Sequence, residues 1–309
     1  MKFATVEEPD GTVRCGLVEG DNLLRLPAGT TVLELIRAGQ LHDAGAAARA
    51  AGDAVPLSGL RLLPPLEPPT VRDFVAFEQH VAGMVAGDGG SVPPEWYEAP
   101  TFYFTNPYAL LGAHDDVPVP PGSQLFDFEL EVAAVVGRDA ASPSPEEVDI
   151  AGYTVFNDWS ARDLQRREMK VGLGPAKGKD SATTLGPWLV TADELESYRD
   201  SAGFLGLDLR VSVNGTQIGQ DLLSHMGWPF EELAAYAGRG TRVRAGDVLG
   251  SGTCGNGGCL AELWGRGREI PPLKPGDVVE MTVEGIGTIR NTVVEGIELP
   301  PVRPARKRS

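Results

Sequence analysis

Glu129 and Glu131, in the run Phe-Asp-Phe-Glu-Leu-Glu-Val, and Asp158, in Asn-Asp-Trp-Ser-Ala-Arg-Asp, are the side chains best suited to do chemistry. Residues 126–136 alternate as a strand does, with Phe126, Phe128, Leu130, Val132, Ala134 and Val136 on one face. Asp127, Glu129 and Glu131 take the other face. Glutamates two apart on a strand point the same way, ~7 Å apart along the backbone. Carboxylates that close repel unless one holds a proton or a cation sits between them. An all-oxygen set suits a hard divalent ion: Mg²⁺, Mn²⁺ or Ca²⁺. The competing reading of a bare Glu-x-Glu is the solvated face of an edge strand.

Other side chains could complete such a site. A strand over 152–157 delivers Asn157 and Asp158 at its end, and Ser160 with Asp163 reads as a capping box opening a helix over 160–170. Arg162, Gln165, Arg166 and Met169 share one face of that helix, although Arg162 could equally pair with Asp158 or Asp163. The run 174–181, Gly-Pro-Ala-Lys-Gly-Lys-Asp-Ser, fails as a phosphate loop because the first glycine would fall at Leu173 and Asp180 follows Lys179. Lys179 could still reach into a pocket from that turn, or simply lie on the surface. Four scattered histidines, His42, His80, His114 and His225, show no paired metal-ligand spacing. Glu262, in Leu-Ala-Glu-Leu-Trp read as a strand over 260–264, needs a partner if buried.

The elements that would position these groups follow from the turn signals. The 309 residues, 42% of them apolar, can build a substantial core. Short strand-like segments precede an Ala-rich helical stretch from Thr31 to Ala51, and the run 62–69 is too proline-rich for a central strand or helix. This places a small N-terminal domain over 1–66, a second domain over 70–300 and a disordered basic tail over 301–309. Strands are expected at 102–105, 126–136, 152–157, 187–190, 207–213, 247–250, 278–283 and 286–293, with Asn214-Gly215 as a hairpin turn. Helices are fewer: near 75–86, 160–170, 228–237 and 145–149. The fold class is therefore mainly β with some helices, α+β, without alternating βαβ units. The glycine-rich stretch 83–94 is a lid candidate.

A net charge of −16 argues against a nucleic-acid partner. No run approaches a membrane span, and the start turns acidic before a signal-peptide core could form. Three cysteines fit reduced thiols in the cytoplasm, and Cys254 and Cys259 lack the neighbouring ligands of a zinc site.

Taken together, Asp73 to His80, Phe-Glu-Leu-Glu at 128–131, Asn-Asp-Trp-Ser-Ala-Arg-Asp-Leu-Gln at 157–165, Gly178-Lys179 and Gly-Ser-Gly-Thr at 250–253 resemble the fumarylacetoacetate hydrolase superfamily. The likeness runs from about residue 70 to 295. It implies a mixed β-roll/β-sandwich catalytic domain, a homodimer, and one divalent cation chelating a small 2-oxo or 1,3-dicarbonyl acid. By this resemblance the metal ligands are Glu129, Glu131 and Asp158, with Asp73 as the fourth acid of the hydrolase branch. His80 matches the base that activates water and Glu262 the acid that orients it. Arg162, Gln165 and Lys179 match the oxyanion donors, and Thr253 matches a substrate-carboxylate contact. The chemistry implied is hydrolysis of a carbon–carbon bond, with the metal stabilising the enolate that leaves.

The departures bear on the substrate. Val75 stands where the relatives place a tyrosine, Gly89 where they place the arginine that grips a distal carboxylate, and Met169 where they place a second tyrosine. One extra residue lies between Gln165 and Lys179. A distal group more apolar than fumaryl follows, as in an acylpyruvate. Branches that decarboxylate or cleave acylpyruvates carry a His-x-x-Glu pair, but that glutamate position is Gly83 here. The alternatives are a 2-oxo acid decarboxylase, tautomerase or other isomerase, or hydratase of the same superfamily, and a metal-binding member without catalysis.

Overall fold

Strands outweigh helices in this chain, and the computed structural model describes residues 1–87 and 89–308. The expected lid over 83–94 includes Asp88, which lies outside the described residues, as does Ser309 of the tail. A twelve-stranded sheet dominates. Its spine runs Ala54–Pro56, Asn22–Arg25, Val13–Glu19, Lys2–Glu7, Thr183–Thr191, Ile150–Asp158, Leu130–Val136, Val248–Gly250, Val71–Phe74 and Phe102–Thr105. The N-terminal strands are thus hydrogen-bonded into the same sheet as the acid-bearing ones, through Lys2 opposite Val190 and Phe3 opposite Leu189. A five-stranded sheet, including the hairpins Asp208–Val213/Thr216–Leu222 and Val278–Val283/Gly287–Val294, lies against it. Asn214 and Gly215 have the positive φ angles that a tight primed turn needs.

The alternation of the central strands sorts side chains into two cores. Leu130, Val132, Ala134, Tyr153 and Val155 pack with Leu209, Val211, Val279, Met281 and Ile289 of the smaller sheet. Ala133, Val135, Phe156, Leu185 and Leu189 pack on the other face with Leu35, Ile36 and Ala48 from the helices Val32–Ala38 and Leu41–Ala51. Each fully buried large apolar side chain is worth about 1.5–3 kcal/mol relative to exposure. A sheet covered on both sides explains why Leu130–Val136 is buried at every residue.

Several local expectations give way to tertiary contacts. The segment 126–136 is not one half-solvated strand: Phe126–Asp127 pairs with Ser160–Ala161, while Leu130–Val136 runs between two neighbours in the main sheet. The stretch Thr31–Ala51 is two helices, because Gly39 takes a left-handed conformation (φ 64°) and ends the first. The expected strand over 260–264 is instead the helix Leu260–Gly265. Its start is fixed from afar, by the Asp127 carboxylate accepting from the backbone N–H of Leu260 (2.8 Å) and Ala261 (3.0 Å). Nor does Ser160 cap a helix: its hydroxyl donates to the carbonyl of Asp158 (2.9 Å), and the helix runs Arg162–Met169. Asp163 accepts instead from Ser123 Oγ and the Gln124 N–H.

Candidate active site

Sheet register gathers the acids. Asp158 ends the strand Ile150–Asp158, and the next strand places Leu130 opposite Asn157 and Glu131 opposite Phe156. Ala133 then faces Gly250, and Gly250 faces Asp73 on a parallel neighbour, with Tyr103 opposite Asp73 beyond. Period-two alternation puts Glu129, Glu131 and Asp158 on the face that Ala133, Val135 and Phe156 share. Gly250 keeps the centre open: a Cβ there would lie 2.5 Å from Asp73 Oδ1 and 3.0 Å from Glu131 Oε2.

Asp73, Glu129, Glu131 and Asp158 are all buried. Asp73, Glu129 and Asp158 each offer an oxygen within 4.8 Å of the others. Glu131 sits beside that triad, where the Gly252 N–H donates both to it (3.0 Å) and to Asp73 (3.2 Å) and Thr253 Oγ1 donates to its other oxygen (3.4 Å). Lys179 bridges Glu129 and Asp158, at 2.8 Å from Asp158 Oδ2. Buried Arg162 reaches Glu129 Oε1 at 2.7 Å and Asp127 Oδ2 at 2.8 Å, and donates to Gln165 Oε1 at 3.1 Å. Tyr103 donates its hydroxyl to Asp158 Oδ2.

Five carboxylates, counting Asp127, against two fixed cations leave three negative charges in excess if all ionise. Burial, with Asp158 beside it, raises the Asp73 carboxyl to about 8. Burial likewise raises Glu131, reinforced by Asp73, and raises Asp158 against the pull of Lys179. At Glu129 burial is outweighed by Lys179 and Arg162, which hold it down at about 2. Asp158 Oδ1 is buried with no hydrogen-bond partner. A hard divalent cation would answer both the orphaned oxygen and the excess charge, so the donor set fits one.

His80 and Glu262 come together from two short helices. His80 lies in Glu78–Ala86 and Glu262 in Leu260–Gly265, with His80 Nδ1 3.8 Å from Glu262 Oε2. Glu262 is also held by Arg266 Nε (2.9 Å) and the Gly257 N–H (3.4 Å). Gly83 permits this approach, since a Cβ there would lie 2.3 Å from Glu262 Cγ. A side chain at position 83 and the present place of Glu262 exclude each other.

Eight of the twelve residues singled out in the sequence fall in two adjoining polar groups, Glu129, Asp158, Arg162, Gln165 and Lys179 in one and Asp73, Glu131 and Thr253 in the other, which meet where Asp73 comes within 4.8 Å of Glu129 and Asp158. His80 joins through an atom within 4.8 Å of Glu129, and Glu262 through His80. Val75 is half-buried after the Asp73 strand, and Met169 is exposed at the end of its helix; among the described residues neither side chain enters these polar contacts. Sequence reasoning missed Tyr103, Asp127 as the anchor of Arg162, and Cys259, which lies 3.9 Å from His80 Nδ1 across 179 positions. Tyr103 sits in a strand read correctly, but a tyrosine between two phenylalanines carries no polar signal of its own.

Residues 70–294 match the model of the fumarylacetoacetate (FAA) hydrolase C-terminal family. Fumarylacetoacetase of Arabidopsis thaliana is 28% identical over 263 residues, 69% of this chain and 62% of the Arabidopsis protein, so this chain spans under two thirds of that relative's length. The solved fumarylacetoacetate hydrolase of Exiguobacterium antarcticum is 27% identical, with 96% of this chain and all of that one aligned at a TM-score of 0.72. A 5-carboxymethyl-2-hydroxymuconate delta-isomerase from Mycobacterium smegmatis is 26% identical, with the same coverage and a TM-score of 0.70. Relatives therefore include hydrolases and an isomerase, and no helix among the described residues is long and apolar enough to cross a membrane. With its family match covering most of its length and its fold shared end to end, the chain belongs to the fumarylacetoacetate hydrolase family.

Proposed function

We propose that the protein is a divalent-metal-dependent hydrolase that cleaves a carbon–carbon bond in a 1,3-diketo acid of the acylpyruvate type. The observation that carries this reading is the meeting, in one buried site, of an acid cluster with a histidine–glutamate pair and two cationic donors. Asp73, Glu129, Glu131 and Asp158 would hold the ion, Mg²⁺ or Mn²⁺ by their all-oxygen character. When bound, it supplies Lewis acidity that draws charge from the enolic oxygens of the substrate.

The chain's own residues do the rest. His80 turns Nδ1 toward Glu262, which leaves Nε2 to take a proton from water. Glu262, itself fixed by Arg266 and the Gly257 N–H, holds the ring and stabilises the imidazolium. Lys179, Arg162 and Gln165 present donors to the oxyanion that forms when water adds to the carbonyl, and one such donor is worth about 3 kcal/mol in the transition state. Thr253 would contact the substrate carboxylate. Val75 and Met169 would border the distal acyl group, and neither offers a cation for a second carboxylate.

Incubation with Mg²⁺ or Mn²⁺ and a series of acylpyruvates, following loss of enol absorbance against an EDTA control, tests the reading. Metal-dependent decay for at least one member is expected, and none for any member would overturn it. The likeness to a delta-isomerase favours a second reading, a bond shift through the same enolate. Product analysis separates the two: two fragments mean hydrolysis, one isomeric product means the alternative.

A further inference from the structure

Beside the all-oxygen acids lies a second cluster of different chemistry. His80, Cys259 and Glu129 each offer a ligand atom within 4.8 Å of the other two, and all three are buried. The Cys259 Sγ to His80 Nδ1 separation is 3.9 Å. Zinc bonds of ~2.3 Å to sulfur and ~2.0 Å to nitrogen put tetrahedral neighbours ~3.5 Å apart, so Cys259 and His80 close on an ion with a small adjustment, while Glu129 must turn one oxygen away from Arg162 or Lys179. The ligand types are the deciding feature: a thiolate and an imidazole with one carboxylate select a softer ion than Mg²⁺, and three protein ligands leave a fourth position for water.

We infer that Cys259, His80 and Glu129 form a second metal site, selective for Zn²⁺, whose occupation silences the base. On binding, the thiol proton is released to solvent and sulfur, imidazole nitrogen and a Glu129 oxygen become ligands. Coordination through Nδ1 shifts the ring's one proton from Nδ1 to Nε2, which can then accept no other. Glu129 belongs to both clusters, which couples zinc at one to the hard ion at the other. The inhibition rests on the reading of His80 as the base; the binding does not.

The full chain with Mg²⁺ in excess is titrated with Co²⁺, whose bond to a thiolate gives a near-ultraviolet charge-transfer band. One equivalent per chain should produce the band, and Zn²⁺ should abolish it. The band should vanish in Cys259→Ser, while Cys254→Ser and Asp158→Asn should keep it. Serine is a good N-cap and can replace the Sγ that accepts from the Glu262 N–H. As a second probe, His80→Asn should weaken zinc binding by more than the about 10- to 100-fold that an outer-shell partner costs. No band in the parent chain, or a band that survives Cys259→Ser, would overturn the site. If the band behaves as expected but zinc leaves hydrolysis of a turned-over acylpyruvate undiminished, the inhibitory half fails alone.

Discussion

Stripping divalent cations and raising the pH should make the chain progressively easier to unfold, by an amount that the raised acids Asp73, Glu131 and Asp158 set together. Burial, with Asp158 beside it, raises its carboxyl from 3.8 to about 8. The folded chain therefore keeps a proton that the unfolded chain gives up near pH 4. The stability this proton contributes is complete below that pH and is lost as the pH climbs toward 8. At ~1.4 kcal/mol per unit, Asp73 costs the metal-free chain roughly 4 kcal/mol between about pH 5 and 8. Glu131 and Asp158 are raised as well and push in the same direction. Glu129, held near 2 because Lys179 and Arg162 outweigh its burial, contributes stability above its unfolded value of 4.5 and loses it only as the pH falls through 2. It is constant across the window. A divalent ion takes the place of the displaced proton, so its affinity should rise about tenfold per pH unit for each proton released. Urea denaturation in one-unit steps from about pH 5 to 8, with EDTA or with excess Mg²⁺, reads both effects. The gap between the two conditions should widen with pH. Curves that coincide, or a gap independent of pH, would refute the electrostatic account of the site.

Three further outcomes follow from single side chains. Arg162→Met leaves Asp127 without its buried cation and Glu129 with Lys179 alone, and should cost about 3–5 kcal/mol in chemical denaturation. Gly250→Ala puts a methyl group against Asp73 and Glu131, and should weaken Mg²⁺ binding at least about tenfold by calorimetry while far-ultraviolet circular dichroism stays unchanged. Tyr103→Phe removes a donor from buried Asp158 and should cost the metal-free chain about 1–3 kcal/mol, most of it recovered when Mg²⁺ is added.

What was legible in the sequence divides along a physical line. The spacing of Glu129 and Glu131 gave their common face because side-chain alternation is local. Their burial was not local: it depends on Leu130–Val136 lying between two strands of a sheet covered on both faces, and the same alternation would have suited an edge strand. The helix Leu260–Gly265 was misread for a related reason, since the carboxylate that accepts from its first N–H group lies 133 positions away. Lys179 and His80 were each ambiguous alone, and became part of a candidate site only beside the acids. Gly83 and Glu262 show how a departure becomes legible after folding: the missing side chain at 83 is the space that Glu262 fills.

In the proposed reaction His80 activates water for cleavage of a carbon–carbon bond at this acid cluster. The most direct measurement is cleavage of an acylpyruvate in ¹⁸O-labelled water with Mg²⁺ or Mn²⁺, with the products analysed by mass spectrometry. Pyruvate and a carboxylic acid carrying one oxygen from water are expected, with the rate lost in EDTA and lowered by about 10²- to 10⁴-fold in His80→Ala. Fragments without solvent oxygen, cleavage that ignores metal, or full activity in His80→Ala would contradict it.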